Sequence, residues 1–460
     1  MFDMGYINFY GIDCVYAENK GIFCILPKNK AEQKRLFDCF EMPQLVLEYS
    51  SLIYKNCCAF IKEGRRHIDQ GIELKAEYII AKANNFPIQT LEITGNDIDV
   101  FFSPARYFYE QFHKNRADIG NVVYEGKLAD NWNIVFEGKE IEISLFYDAI
   151  LSKGIASDLK LHPKLKVSFP ATTDGQFLYR IYSFIIKFLQ IIQYRQTHCD
   201  YTVTLHGGTK EQDNINVGKL IDIYSSQKTD EKEYGEINYN NYKPYIGKLL
   251  QFAANNPNIS LKHLPHDRMR FSAKDYTAMD FLSIYFAFES ECHANKSIYE
   301  KVDDAPISRI KEEVLKGIKK CICFNKHESD FLKNVEDRIS QTGTQLGQKR
   351  RIVNAYNVLS SAFTHSIKNI FYKYKLENDN MLSEKEIRQF AEKLTNWRGA
   401  IAHGGFCGEF TEADVQIIKF LEILTYCQIL KRAEIEDEDI EKIIGAVWFC
   451  NTLFFEEFLR

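Results

Sequence analysis

The sequence predicts an α+β fold in two parts, a strand-rich N-terminal domain with inserted helices over residues 1–270 and an all-α bundle over residues 271–460. Three observations predict it. Apolar residues recur at every second position through most of the first 175 residues. From about Phe271 they recur at three- and four-residue steps. The chain has 460 residues, 45% hydrophobic and 26% charged, which is ordinary for a globular protein and long enough for two or three domains.

Taken in order, the strand signals come first. Leu91 and Ile93, then Ile98 and Val100, flank the turn-like Gly95-Asn96-Asp97. Ile141, Ile143 and Leu145 alternate with Glu142 and Ser144, and Leu165, Val167 and Phe169 alternate with Lys166 and Ser168. Tyr201, Val203 and Leu205 alternate again before Gly207-Gly208. These read as half-buried strands. Between them, Phe177 to Tyr194 is apolar enough to pass for a membrane span. Its Arg180, Ser183, Lys187, Gln190 and Tyr194 recur at three- and four-residue steps, which marks an amphipathic, largely buried helix instead. The Asn-rich Ser225 to Lys243 reads as a long exposed loop.

In the second part the period predicts helices over residues 275–295, 306–320, 328–341, 348–375, 384–403, 412–432 and 437–458. Phe281, Ile284 or Tyr285, Phe288 and Cys292 share one face of the first. Ser383-x-x-Glu386 and Thr411-x-x-Asp414 are capping boxes that start two of the others.

The formal net charge of −5 announces no polyanionic partner, so any anion-binding surface must be local. The 12 cysteines lack the paired spacing of a zinc ribbon and read as free thiols of a reducing, cytoplasmic setting. The opening MFDMGYINFY is not a signal peptide, and no membrane segment is expected. His263, His266 and Asp267 lack further nearby ligands, so no metal site is expected, and no cofactor.

The chemistry concentrates in NWRGAIAHGG, Asn396 to Gly405. Arg398 and His403 stand five residues apart at the end of the helix that Ser383 starts, and Gly404-Gly405 suit a helix C-terminus. A histidine can give and take a proton near neutrality, and a guanidinium offers a donor fork to phosphate oxygens as charge builds in a transition state. RNA supplies its own nucleophile, the 2′-hydroxyl. On a straight helix, five residues separate side chains by about 7.5 Å along the axis and about 140° around it. One phosphate is reached by both groups only if the helix unwinds near His403, or if the site draws on more than one element, as across a two-fold dimer. A second Arg-to-His spacing, Arg106 to His113, lies in an aromatic stretch and reads as core.

KLTNWRGAIAHGGF, between two long helices, resembles the motif region of the HEPN superfamily, and its ApeA-like branch most of all. FLSIYFAFESECH resembles the first helix of that branch, with Ala287-Phe288-Glu289 where an acid is carried. FIIKFLQIIQYRQTHCDYTVTLHGG resembles, more loosely, the ApeA-type domain that precedes HEPN. The sequence departs at Gly399, where the family commonly has Asn, Asp or His. The resemblance implies a HEPN-like helical bundle acting as a metal-independent endoribonuclease, a hydrolase without cofactors. It implies Arg398 and His403 as the catalytic pair, a homodimer through the bundle, and a toxin role in abortive infection and anti-phage defence, with tRNA a candidate target. It also makes the N-terminal domain a sensing or substrate-recognition unit for a phage-derived trigger.

Other residues join as candidates. Glu289 is placed to orient His403 or the attacking hydroxyl, and Asn396 to bond the helix end or a phosphate. The run from Arg338 to Leu376 has no acid and seven bases: Arg338, Lys349, Arg350, Arg351, Lys368, Lys373 and Lys375. Lys349, Arg350 and Arg351 are its candidate RNA-binding residues, against a solvated helix face. The alternative function is a non-catalytic nucleotide- or protein-binding module with the β-rich domain as recognition surface; Gly399 keeps it open. A scaffold silenced by modification near the motif is disfavoured, since no Tyr closely follows His403.

Overall fold

The computed structural model describes residues 2–40, 46–51, 54, 56–67, 71–83, 86–103, 128–151, 159–194, 201–209, 212–223, 239–257, 259, 261, 263–264, 276–295, 305–321, 325–341, 347–405 and 408–448. The chain divides into two compact units, Met1–Met269 and Arg270–Arg460. The first is built on an antiparallel sheet and the second is largely helical. No helix among the described residues is long and apolar enough to cross a membrane.

Among its described residues the first unit carries twelve strands: β1 (Phe2–Phe9), β2 (Ile12–Asn19), β3 (Ile22–Pro27), β4 (Val46–Tyr49), β5 (Asn56–His67), β6 (Gly71–Lys82), β7 (Ile88–Thr94), β8 (Leu128–Phe136), β9 (Lys139–Leu151), β10 (Leu159–Thr172), β11 (Thr202–Thr209) and β12 (Gln212–Asp222). Their order is β1-β2-β3-β6-β12-β11-β7-β10-β9-β8, with β5 also pairing β6 and β4 pairing β5. The alternating apolar positions align across the strands. Ile143 faces Val167, Val167 faces Leu91 and Leu91 faces Leu205, and all four are fully buried. That is what a period of two produces when one face meets a core. The covering element is α3 (Gly175–Gln193), the expected amphipathic helix. Asp174 caps it by accepting from Gln176 N–H and Phe177 N–H, and Phe177 and Phe184 pack on Phe136 of β8. Among the described residues two shorter helices precede it, α1 (Gln33–Cys39) and α2 (Asn96–Phe101), and α4 (Ile246–Asn255) follows.

One expectation fails here. Ile98 and Val100 are not in a strand but in α2. The chain turns at Gly95, and Ile98, Phe101 and Phe102 then bury at three- and four-residue steps. The expected loop 225–243 is described only at its end, where Tyr239–Tyr242 forms a helical turn with both tyrosines buried. Arg106, His113, His266 and Asp267 lie outside the described residues.

The second unit contains α5 (Ala278–Ala294), α6 (Ala305–Ile318), α7 (Lys326–Gln341), α8 (Gln348–Leu359), α9 (Glu384–Ala402), α10 (Glu412–Arg432) and α11 (Asp437–Trp448). Helix α10 is buried on every side from Gln416 to Leu430 apart from Lys419, so it forms the axis of the bundle. Phe420 on it meets Tyr356, Phe363 and Phe371. Its buried polar groups are partnered only in part: Cys292 of α5 donates to Gln428 Oε1 and Arg432 pairs with Glu291 of α5 at 2.6 Å, whereas Gln416 Nε2 and Gln428 Nε2 are buried without a hydrogen-bond partner among the described residues. Burial raises the Glu291 carboxyl above its ordinary range, and Arg432 opposes that rise.

The expected single helix over 348–375 is broken. It stops at Leu359, a 3₁₀ turn covers Ser360–Phe363, and a short turn of helix covers Ile367–Ile370. The cause is local. The Ser360 hydroxyl donates to the Asn357 carbonyl and the Thr364 hydroxyl to the Ser361 carbonyl, so side chains compete with the helix for its own acceptors. The last helix is described to Trp448; residues 449–458 of that expectation lie outside the described residues.

Candidate active site at the end of helix α9

Helix α9 begins with the capping box read from the sequence. The Ser383 hydroxyl accepts from Glu386 N–H, and the Glu386 carboxylate accepts from Ser383 N–H (2.8 Å). It ends in a Schellman closure. Gly405 N–H donates to the Ala400 carbonyl (2.8 Å) and Gly404 N–H to the Ile401 carbonyl (3.1 Å), with Gly404 at φ +72°. Only glycine adopts that conformation without strain. His403 is the capping residue, its N–H still bonded to the Gly399 carbonyl (3.1 Å), and its side chain is exposed.

The helix therefore does not unwind before His403. Arg398 and His403 keep the angular separation of a regular helix, and the first of the two routes to a shared phosphate is not taken. Arg398 instead turns toward α5. Its Nε is buried without a hydrogen-bond partner among the described residues, and its guanidinium carbon lies 5.9 Å from the centre of the Phe286 ring. The adjoining Trp397 fixes this end of α9 by edge contacts with Phe281 of α5 and with Phe410. Gly399 faces open space, so nothing crowds a side chain at that position.

Below Arg398 on α5 sits Tyr285, fully buried. Burial pushes its phenol up to about 12; Glu289 adds to the rise, while the Thr395 hydroxyl and the Arg398 charge oppose it. The Tyr285 hydroxyl makes no well-formed hydrogen bond among the described residues, and the nearby Thr395 hydroxyl donates to the Ala391 carbonyl (2.7 Å). Glu289, one turn further, is half-buried and accepts from Gln348 Nε2 at 3.0 Å. It thus faces the start of α8, and no described contact joins it to His403. Asn396 is exposed.

The acid-free run behaves differently from its linear reading. Lys349 is paired with Glu392 (2.6 Å), Lys368 with Asp379 (2.7 Å) and Lys373 with Glu412 (3.4 Å). Arg351 is 8% exposed, with Nη1 3.4 Å from His293 Nε2. Of the three candidate RNA-binding residues only Arg350 is an exposed charge without an ion pair among the described residues. A positive track along Lys349, Arg350 and Arg351 is therefore reduced to one position. Lys375 is exposed too, and the side chain of Arg338 lies outside the described ones.

Sequence reasoning missed Phe286, Gln348 and His293, and it read Tyr285 only as a member of an apolar helix face. For Phe286 a signal existed: it falls off the apolar face that Phe281, Tyr285, Phe288 and Cys292 define. Among the described residues no group of three or more His, Cys, Asp or Glu is gathered as metal ligands, and the eight described cysteines are free. Comparison with protein-family models, with curated proteins and with solved structures found no match to this chain.

Proposed function

We propose that the helical unit is a HEPN-like, metal-independent endoribonuclease, and that the chain acts in the cytoplasm as an abortive-infection toxin against phage, with tRNA as its expected target. The observation that carries this reading is the end of α9. A guanidinium with a buried, unpartnered Nε stands on the last full turn, and an exposed imidazole caps the same helix. Arg398 would hold the scissile phosphate. The 2′-hydroxyl would attack that phosphorus and lose its proton, the 5′-oxygen would leave and gain one, and His403 would carry one of the two transfers. The products are a 2′,3′-cyclic phosphate and a 5′-hydroxyl. Since Arg398 and His403 do not share a face, a second copy of the chain would complete the groove, through an isologous contact of the bundle. The sheet unit would then sense the phage-derived trigger.

A test follows from the nucleophile. Incubation with bacterial tRNA should give ends of that chemistry, and chelator should not stop the reaction. A deoxyribose at the cleaved position should block it. Cleavage that requires magnesium, or that leaves a 5′-phosphate, contradicts the reading. The second reading is a non-catalytic nucleotide- or protein-binding module. It is favoured by the divergence of the two side chains, Arg398 toward α5 and His403 outward.

A further inference from the structure

We propose that Phe286 is the stacking platform for one nucleobase of the bound RNA, set beside the phosphate held by Arg398; this rests on the ribonuclease reading above. Helix α5 carries four aromatic residues in its first three turns. Phe281, Tyr285 and Phe288 are buried, whereas Phe286 is 50% exposed. A ring in that position contributes little to the core, and its described neighbour is a guanidinium, with Arg398 Cζ 5.9 Å from the ring centre. A nucleotide has the matching pair of features, a flat apolar face and an anion a few ångströms away. Base-on-aromatic stacking is tolerant of sequence, because every base has such a face. It also demands a base that is not already stacked in a duplex. The substrate segment is therefore single-stranded, as in a loop.

Phe286 thus selects an accessible base and sets the register of the backbone over Arg398. It is a positioning residue, and the chemistry is left to the groups already named. The competing role is contact with a second copy of the chain. Met279, Phe286 and His293 recur at seven-residue steps on α5 and all three are exposed, Met279 by 69%. The experiment distinguishes the two.

The full chain carrying His403→Ala, so that RNA is bound but not cut, is titrated with single-stranded ten-nucleotide RNAs in which one abasic nucleotide is walked along the strand. The same titration is made with Phe286→Leu and Phe286→Trp added. Leucine keeps the apolar bulk and removes the π-face, so it should weaken binding by about 5- to 100-fold, and tryptophan should retain it. One abasic position should cost the Phe286 protein a similar factor and cost the Leu variant nothing further. If Phe286→Leu binds as tightly as its parent and no abasic position matters, the platform is overturned while the ribonuclease reading stands. If binding falls only because Phe286→Leu sediments as a smaller species, the ring is a contact between copies and the proposal fails. If no RNA binds the parent protein at all, the ribonuclease reading fails and takes this proposal with it.

Discussion

The acid-free run around α8 and the single arginine at the end of α9 were both read from the sequence as anion-binding candidates, and the fold treats them in opposite ways. In the first, acids arrive from other elements. Glu392, Asp379 and Glu412 close on Lys349, Lys368 and Lys373, and Arg351 is drawn inward against His293. At the end of α9 no described acid closes on Arg398; its described neighbours are an aromatic ring and a buried phenol. Charge that is contiguous along the chain is therefore met in space at Lys349, Lys368 and Lys373, while a single arginine at the end of α9 has no acid beside it among the described residues. An arginine's partners decide whether it is structural or available for a ligand.

The largest expected effect calibrates that distinction on an arginine that is fully committed. Arg432→Met leaves the Glu291 carboxylate, 5% exposed, without its counter-charge. Breaking such a pair should cost about 3–5 kcal/mol at neutral pH, read by urea denaturation. The folded-state pKa of Glu291 is already raised by burial and must rise further without Arg432. A raised folded pKa means that the native state binds the proton more tightly than the unfolded chain. The loss should therefore shrink as pH falls toward the ordinary carboxylate range and be greatest above it. A loss under about 1 kcal/mol at all pH values would erase the contrast between committed and free arginines.

A smaller effect separates the members of the acid-free run. Arg350→Gln should lower the salt slope of RNA binding by about 0.7 to 0.9, the loss of one phosphate contact. Lys368→Gln and Lys373→Gln should leave the slope unaltered, since their charges are already met, and change stability by no more than about 1 kcal/mol. Equal slopes for all three variants and the parent protein would make the whole run a solvated face.

What was legible in the sequence follows the same division. Strands with one buried face were legible because alternation and register carry the same information: Ile143, Val167 and Leu91 could be read singly and they align across β9, β10 and β7. Capped helices were legible too, from Ser383 and Glu386 and from Thr411 and Asp414. The failures lie where local chemistry or a distant partner decides. Gly95 opens a helix where a hairpin was expected, and the hydroxyls of Ser360 and Thr364 end α8 early. At the candidate site, Arg398, His403 and the closing glycines were legible as a helix end. The Phe286 ring beneath Arg398 was not, because the two meet only when α5 packs on α9. Nor could Arg351 be seen turning inward, since three consecutive cations look alike until a neighbouring helix takes one of them.

The central claim is that the end of α9 does the chemistry and the cationic run does not. It is tested most directly by the rate of tRNA cleavage at saturating RNA, compared among the parent protein, His403→Ala, Arg398→Ala and Lys368→Gln. The account predicts that each of the first two variants loses at least about 100-fold. Both should stay folded, since His403 is exposed and Arg398 sits at a helix end closed by Gly404 and Gly405. Lys368→Gln should cut at the parent rate. A His403→Ala protein that cleaves as fast as the parent would contradict the account.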